Sequence, residues 1–258
     1  VKPSATLAIT AKANELKAKG IQIVSMGSGE PDFDTPKNVQ QAAVEAIHNG
    51  QTRYTAVDGT PELKQAIIDK FKRENNLKYS ATEVMVSSGG KQVFYNLCQA
   101  LLNKGDEVII PSPYWVSYPD MVILADATPV IVETGLEQGF KITPEQLEAS
   151  ITKNTKLFVI NSPSNPTGAV YSQAELQALA NVLKNYPQVF IITDDIYEHI
   201  RWGENDFINI VMADTSLKER TIILNGVSKG YAMTGWRIGY GAGPEIIIKA
   251  MKKIQGQS

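Results

Sequence analysis

The chain has 258 residues, a formal net charge of −2 and 43% apolar residues, so it is long enough to bury one large core and lacks the basic excess of a nucleic-acid-binding protein. Acidic and basic residues are interspersed and no apolar run reaches membrane-spanning length, which sets a cytoplasmic protein with a small ligand as the expectation. The only cysteine, Cys98, excludes an intrachain disulfide and sits at helical apolar spacing as a core residue, while His48 and His199 are too few and too far apart for a zinc site.

Along the chain, Ala5 to Lys19 reads as a polar-faced helix and Ile21 to Met26 as a short strand turning at Gly27-Ser28-Gly29. Residues 1–30 are accordingly expected to form an arm or a strip of a second domain. From about residue 83, short β-branched runs alternate with longer amphipathic stretches. This pattern predicts an α/β unit over residues 31–258, with a mainly parallel seven-stranded sheet sandwiched by helices. Strands are expected at 84–87, 107–110, 129–132, 157–160, 189–192, 222–224 and 238–240, several of them apolar on successive residues as in strands buried on both faces. Helix-period apolar positions mark 91–102, 173–184 and 244–254. The last helical pattern runs into Gly256-Gln257-Ser258 with no closing strand, so the chain is expected to be cut short.

The polar residues of interest follow these strands, at 88–91, 112–115, 161–165, 194–195 and 228–229. In open α/β sheets ligands bind at the carboxyl ends of strands, where such loops converge. Ser87-Ser88-Gly89-Gly90-Lys91 joins a strand to a helix and reads either as a tight turn or as an anion cradle at a helix N-terminus. It is not a nucleotide P-loop, because Met85 and Gln92 stand where that motif needs Gly and Ser or Thr. Asn165, in Ser164-Asn165-Pro166-Thr167-Gly168, reads as turn punctuation or as an amide donor to a ring oxygen. Asp194 ends a strand with Tyr197 three residues on, as a helix cap or as a carboxylate against a ring nitrogen. Trp115 reads as a buried aromatic or as a stacking partner. Lys229, in Ser228-Lys229-Gly230, follows a strand among small residues with Arg237 eight positions later. It is either part of a Gly-rich turn or a lysine set to form a Schiff base beside a phosphate-binding arginine.

Each feature alone is open, but lysine, arginine, anion cradle, amide, carboxylate and aromatic are together what one aromatic phosphate cofactor requires, and that description fits pyridoxal 5′-phosphate. The motifs Gly29-Glu30-Pro31-Asp32-Phe33, Tyr54 before Asp58-Gly59-Thr60-Pro61-Glu62-Leu63, Asn165-Pro166-Thr167-Gly168, Asp194-Asp195-Ile196-Tyr197-Glu198 and Ser228-Lys229 to Arg237-Ile238-Gly239 stand in this order along essentially the whole chain. In them the sequence resembles the class I aminotransferases of fold type I, most closely their bacterial aspartate aminotransferase subgroup.

The resemblance implies a pyridoxal-phosphate-dependent enzyme that moves an amino group from L-aspartate to 2-oxoglutarate. Lys229 would carry the cofactor and act as general base, Asp194 would pair with the ring nitrogen, Asn165 and Tyr197 would bond the ring oxygen, and Trp115 would stack on the ring. Gly90, the backbone of Lys91 and Arg237 would hold the phosphate, and Ser228 would contact the cofactor. Gly29, Trp115, Asn165 and Lys91 would contact substrate, Lys91 at the distal carboxylate. Tyr54 would reach the phosphate of a partner subunit, which implies a homodimer. Strand alternation turns Asp195 away from Asp194, so its loss is expected to be mild. No metal is implied. The family's arginine for the substrate α-carboxylate lies in a C-terminal small domain that no segment here matches. Other amino-acid, prephenate or aromatic aminotransferases, a lyase on the same scaffold and an inactive cofactor-binding fragment are the alternatives. A nicotinamide-dependent reductase rests only on the glycine turns at 27–29 and 239–243, whose spacing is wrong for a dinucleotide loop.

Overall fold

The computed structural model describes residues 5–24, 27, 29–203 and 206–258, and every strand expected from residue 84 onward lies in one sheet. The strands are β1 (Val84–Ser87), β2 (Glu107–Ser112), β3 (Thr128–Glu133), β4 (Thr155–Asn161), β5 (Phe190–Asp194), β6 (Thr221–Gly226) and β7 (Gly239–Ala242). They are ordered β1-β7-β6-β5-β4-β2-β3. β7 is antiparallel to both β1 and β6, and all other pairs are parallel. The expected mainly parallel α/β sheet is thus the fold.

Among the described residues the helices are α1 (Ala5–Ala18), α2 (Lys37–His48), α3 (Pro61–Asn75), α4 (Gly90–Leu101), α5 (Ser117–Ile123), α6 (Pro144–Ser150), α7 (Gln173–Lys184), α8 (Ile210–Ala213) and α9 (Glu245–Gln255). The apolar run of β4 shows why successive hydrophobics are needed in a central strand. Leu157 and Val159 pack on one side with α4, α5 and α9, while Phe158 and Ile160 pack on the other with α3, α6, α7 and α8. Cys98 of α4 lies in the first of these cores, fully buried, and burial pushes its thiol well above the ordinary range.

Helix starts follow local chemistry. In α7 the Ser172 hydroxyl accepts from Glu175 N at 3.3 Å, and the Glu175 carboxylate accepts from Ser172 N at 2.7 Å, a reciprocal cap. Thr143 and Gln146 do the same at α6, and Thr60 caps α3 ahead of Pro61. α4 differs: Gly89 precedes it at φ 83° with no side-chain cap, its carbonyl accepting from Gln92 N at 3.1 Å, and the start of the helix turns toward the strand ends.

One expected element is absent. Ile21 to Val24 pair with no strand of the sheet and are largely exposed, with Val24 at 88%, because a β-branched run without a ladder partner has nothing to satisfy its backbone groups in extended form. Ser25 and Met26 lie outside the described residues. No helix among the described residues is long and apolar enough to cross a membrane.

Candidate active site

The carboxyl ends of β4, β5 and β6 stand side by side, with Asn161 in register with Asp194 and Asp194 with Leu224. The chain leaves the sheet there in three successive loops, and a cavity of about 420 Å³ opens above them. Gly29, Gly90, Lys91, Trp115, Asn165, Asp194, Tyr197, Ser228, Lys229 and Arg237 all border it. The sequence-derived candidates, spread over more than 200 positions, are thereby brought together with one exception. Tyr54 does not border the cavity, and its side chain is fully exposed.

The anion side of the cavity is built by close backbone approach. Gly239 of β7 lies so near the turn before α4 that a Cβ there would fall 2.3 Å from Gly89 C and Gly90 N. Arg237, held at φ 59° two residues before, spreads its guanidinium over the same turn, donating to Thr234 O at 2.8 Å and toward Ser88 O at 3.4 Å. A Cβ on Gly89 would sit 2.2 Å from Arg237 Nη2. The uncapped start of α4 and the guanidinium therefore converge on one volume, an arrangement suited to a doubly charged anion.

Lys229 follows β6, and its Nζ donates to Gly29 O. Burial depresses its ammonium below the ordinary range, opposed by the nearby Glu30 carboxylate and reinforced by Arg237. Glu30 in turn accepts from Thr234 Oγ1. Lys229 also borders a second cleft of about 650 Å³ shared with Phe33, His199 and Tyr231, so the amine lies at a junction open to solvent. On the opposite wall Lys91 Nζ stands 5.1 Å from the Trp115 ring centroid.

Asp194 forms the floor. It is 5% exposed, with the Ile196 N–H donating to Oδ1 at 3.2 Å and the Tyr118 hydroxyl donating to Oδ2. Burial pushes its carboxyl up to about 6, against the lowering pull of those two donors. Asn161 Nδ2 fixes the Asp194 carbonyl at 2.8 Å and its Oδ1 accepts from Asn165 N at 2.7 Å, which ties the β4 and β5 loops together. Asn165 Nδ2 then lies 3.4 Å from the Tyr197 hydroxyl. Tyr197 is pushed up to about 12, mainly by burial and then by Asp194.

Asp195 points to the other side of the sheet, as alternation requires, but it is far from idle. It is 1% exposed and accepts from Thr193 Oγ1 and from Asn209 Nδ2, each at 2.6 Å. Near it the buried Lys70 pairs with Glu198 and lies 3.7 Å from Glu74. Sequence reasoning missed this polar network and Tyr118, and it placed Asn161 in a converging loop without giving it a role. The signal that existed was local only for Asn161, which shares the loop with Asn165. Tyr118 is 76 positions from its partner.

The residues present fit an aromatic phosphate cofactor on the structure's own terms. A buried carboxylate that among the described residues is held by donors but by no cation faces the cavity, and a guanidinium meets a helix start without a side-chain cap. A sequence profile of the family "Aminotransferase class I and II" matches residues 21–258. The chain belongs to this aminotransferase family. Similar relatives include the aspartate/prephenate aminotransferases of Nitrosomonas europaea, 61% identical, and of Cereibacter sphaeroides, 60% identical, each matched over the whole of this chain. The chain spans 65% and 64% of the lengths of those two aminotransferases. Among solved structures, the aspartate aminotransferase of Rhizobium meliloti superposes with a TM-score of 0.94 at 48% identity, covering 100% of this chain and 67% of that one. The Thermus thermophilus aspartate aminotransferase with maleate gives 0.95 at 47%, covering 100% and 66%.

Proposed function

We propose that this cavity holds pyridoxal 5′-phosphate and that the protein transfers the amino group of L-aspartate to 2-oxoglutarate. The observation that carries the reading is the buried Asp194 carboxylate, aimed into the same cavity that Lys229 and the Arg237–α4 anion cradle border. When bound, the cofactor supplies a carbonyl carbon that condenses with amines and a conjugated ring that accepts electron density from the substrate Cα.

The chain's own residues do the rest. Asp194 keeps a proton on a ring nitrogen by its negative charge, and Asn165 and Tyr197 offer donors to one ring oxygen. Trp115 supplies a flat wall. Arg237, Gly90 and the Lys91 backbone hold the phosphate, and Ser228 contacts the cofactor. Lys229 Nζ, its ammonium destabilised by burial, reaches the free-amine form more easily than an exposed lysine. It would therefore hold the cofactor's carbonyl carbon with loss of water, and once displaced by the substrate amine it would be free to take the proton from the substrate Cα. Gly29 offers its backbone beside that amine, and Lys91 offers positive charge to the distal carboxylate of a dicarboxylic substrate. In this reading residues 1–30 are an arm and 31–258 the cofactor-binding unit. The protein is a cytoplasmic homodimer in which the exposed Tyr54 serves the partner's phosphate site.

A second reading, a prephenate or aromatic amino acceptor, is supported by the names of the relatives, which pair aspartate with prephenate. The test begins with borohydride reduction of the protein incubated with pyridoxal 5′-phosphate, followed by peptide mass mapping. A cofactor adduct on Lys229 is expected. An adduct on Lys91, or none, would reject the assignment. A panel of amino acceptors offered with aspartate and scored by oxaloacetate formation then separates the two readings, with 2-oxoglutarate expected to lead over prephenate and aromatic 2-oxo acids, and absence of turnover with any acceptor would reduce the chain to a cofactor-binding unit.

A further inference from the structure

We propose that Tyr118 is a positioning residue that fixes two walls of the cavity at once, its hydroxyl holding Asp194 and its ring holding Trp115. Tyr118 is 1% exposed in the first turn of α5, and its hydroxyl donates to Asp194 Oδ2. Asp194 Oδ1 is taken by Ile196 N, so the two donors leave the carboxylate one orientation, with its remaining lone pairs toward the cavity. A hydroxyl bonded to a carboxylate is a charge-assisted contact and favours the ionised form. That matters here because full burial pulls Asp194 the other way.

The ring of Tyr118 makes the second contact. It meets Trp115 edge-on, with centroids 5.2 Å apart at 88°, and Phe94 of α4 at 4.9 Å. The phenol is thus wedged between α4 and the sheet, and the indole leans on it from the cavity side. One side chain therefore couples the floor, where charge is needed, to the wall, where a flat apolar surface is needed. Phenylalanine would keep the wedge and lose the hydroxyl, which makes the two roles separable.

The titratable and charged groups that border this cavity with Asp194 are Tyr114 from the loop before α5, Tyr118 from α5, Tyr197 from its own loop, Lys91 from α4, and Lys229 and Arg237 after β6. None of the three cations is within hydrogen-bond distance of the Asp194 carboxylate, so the hydroxyl is the side-chain donor whose removal its titration reports.

The inference rests on the cofactor reading of the cavity for its functional meaning, but its first two measurements need no cofactor. The Asp194 carboxyl band, assigned by its loss in Asp194→Asn, is followed by infrared spectroscopy against pH in the cofactor-free protein. Tyr118→Phe is expected to raise its titration midpoint by about one to two pH units, the size of one charge-assisted hydrogen bond. An unchanged midpoint would overturn the role of the hydroxyl. Trp115 is followed by fluorine NMR of fluorotryptophan-labelled protein, its resonance assigned by Trp115→Phe. That resonance is expected to hold its position in Tyr118→Phe and to shift and broaden in Tyr118→Ala. If it stays put in both, the ring does not position the indole. Should the midpoint and the resonance move as expected while the wild-type protein binds no pyridoxal 5′-phosphate, the cofactor reading fails and the assignment of Tyr118 stands.

Discussion

Asp194 and Asp195 are neighbours in sequence, both buried, and in both burial raises the carboxyl above its ordinary range. Their settings differ completely. Asp195 is enclosed by the Thr193 hydroxyl and the Asn209 amide on the side of the sheet that carries Lys70 and Glu198, with no opening to the cavity. Asp194 has donors on its flanks and open space ahead. The lesson is that burial and a raised pKa do not by themselves distinguish a reactive carboxylate from a structural one. The surroundings do, through whether the remaining lone pairs end in protein or in a cavity.

The widest separation of the two is expected in turnover. Asp194→Ala should lower the transamination rate by roughly a hundred- to a thousandfold, the scale of losing a preorganised charge in a water-poor site. Asp195→Ala should leave the rate per folded molecule within a few-fold. Steady-state kinetics normalised to the folded fraction would decide it, and equal losses at the two positions would erase the contrast.

Stability against pH sharpens the same comparison. Because the folded-state carboxyl of Asp194 is raised from 3.8 to about 6, the folded chain holds that proton more tightly than the unfolded one. Its contribution favours the cofactor-free fold below about pH 4 and is lost as pH rises to about 6, amounting to roughly 3 kcal/mol. Urea denaturation across that window should therefore show a falling contribution in the wild type that is missing in Asp194→Asn.

Lys91 offers a test at the cavity's edge. If its ammonium receives a distal carboxylate, Lys91→Ala should reduce kcat/KM for aspartate by about ten- to a hundred-and-fiftyfold, equivalent to roughly 1.5–3 kcal/mol. A neutral amino donor should be nearly unaffected. Equal slowing of both donors would mean that Lys91 acts through Trp115, over whose ring it lies.

The smallest effect belongs to the enclosed side. Asp195→Ala strands the Asn209 amide and the Thr193 hydroxyl in a buried setting, and a loss of about 1–3 kcal/mol in unfolding free energy is expected. Thermal and urea denaturation at constant pH would measure it.

The sequence makes the sheet legible because a strand covered on both faces must be apolar at every position, as in Leu157 to Ile160. α7 is equally readable from its apolar period over 173–184, and the Ser172–Glu175 cap at its start is a further local signal. Ile21 to Val24 carry the same local appearance as a strand and form none, since pairing depends on a partner that composition does not supply. Of the cavity, the side chains that follow strand ends are legible: Asn165, Asp194 and Lys229 each stand where an α/β sheet exposes its loops. Tyr118 and the Asp195 network are not, because their meaning lies in contacts across the sheet between residues with no common local pattern.

The single thiol of Cys98 has a practical consequence. It lies on α4, beneath the helix whose first turn faces the anion side of the cavity, and the intact fold leaves it no solvent exposure. A thiol-modifying reagent can reach it only when α4 lifts away from the sheet or the whole core opens. The rate at which that one sulfur is capped is therefore a clock for this part of the molecule, and slowing of the clock by inorganic phosphate would report directly how strongly an anion at the helix start clamps the helix behind it.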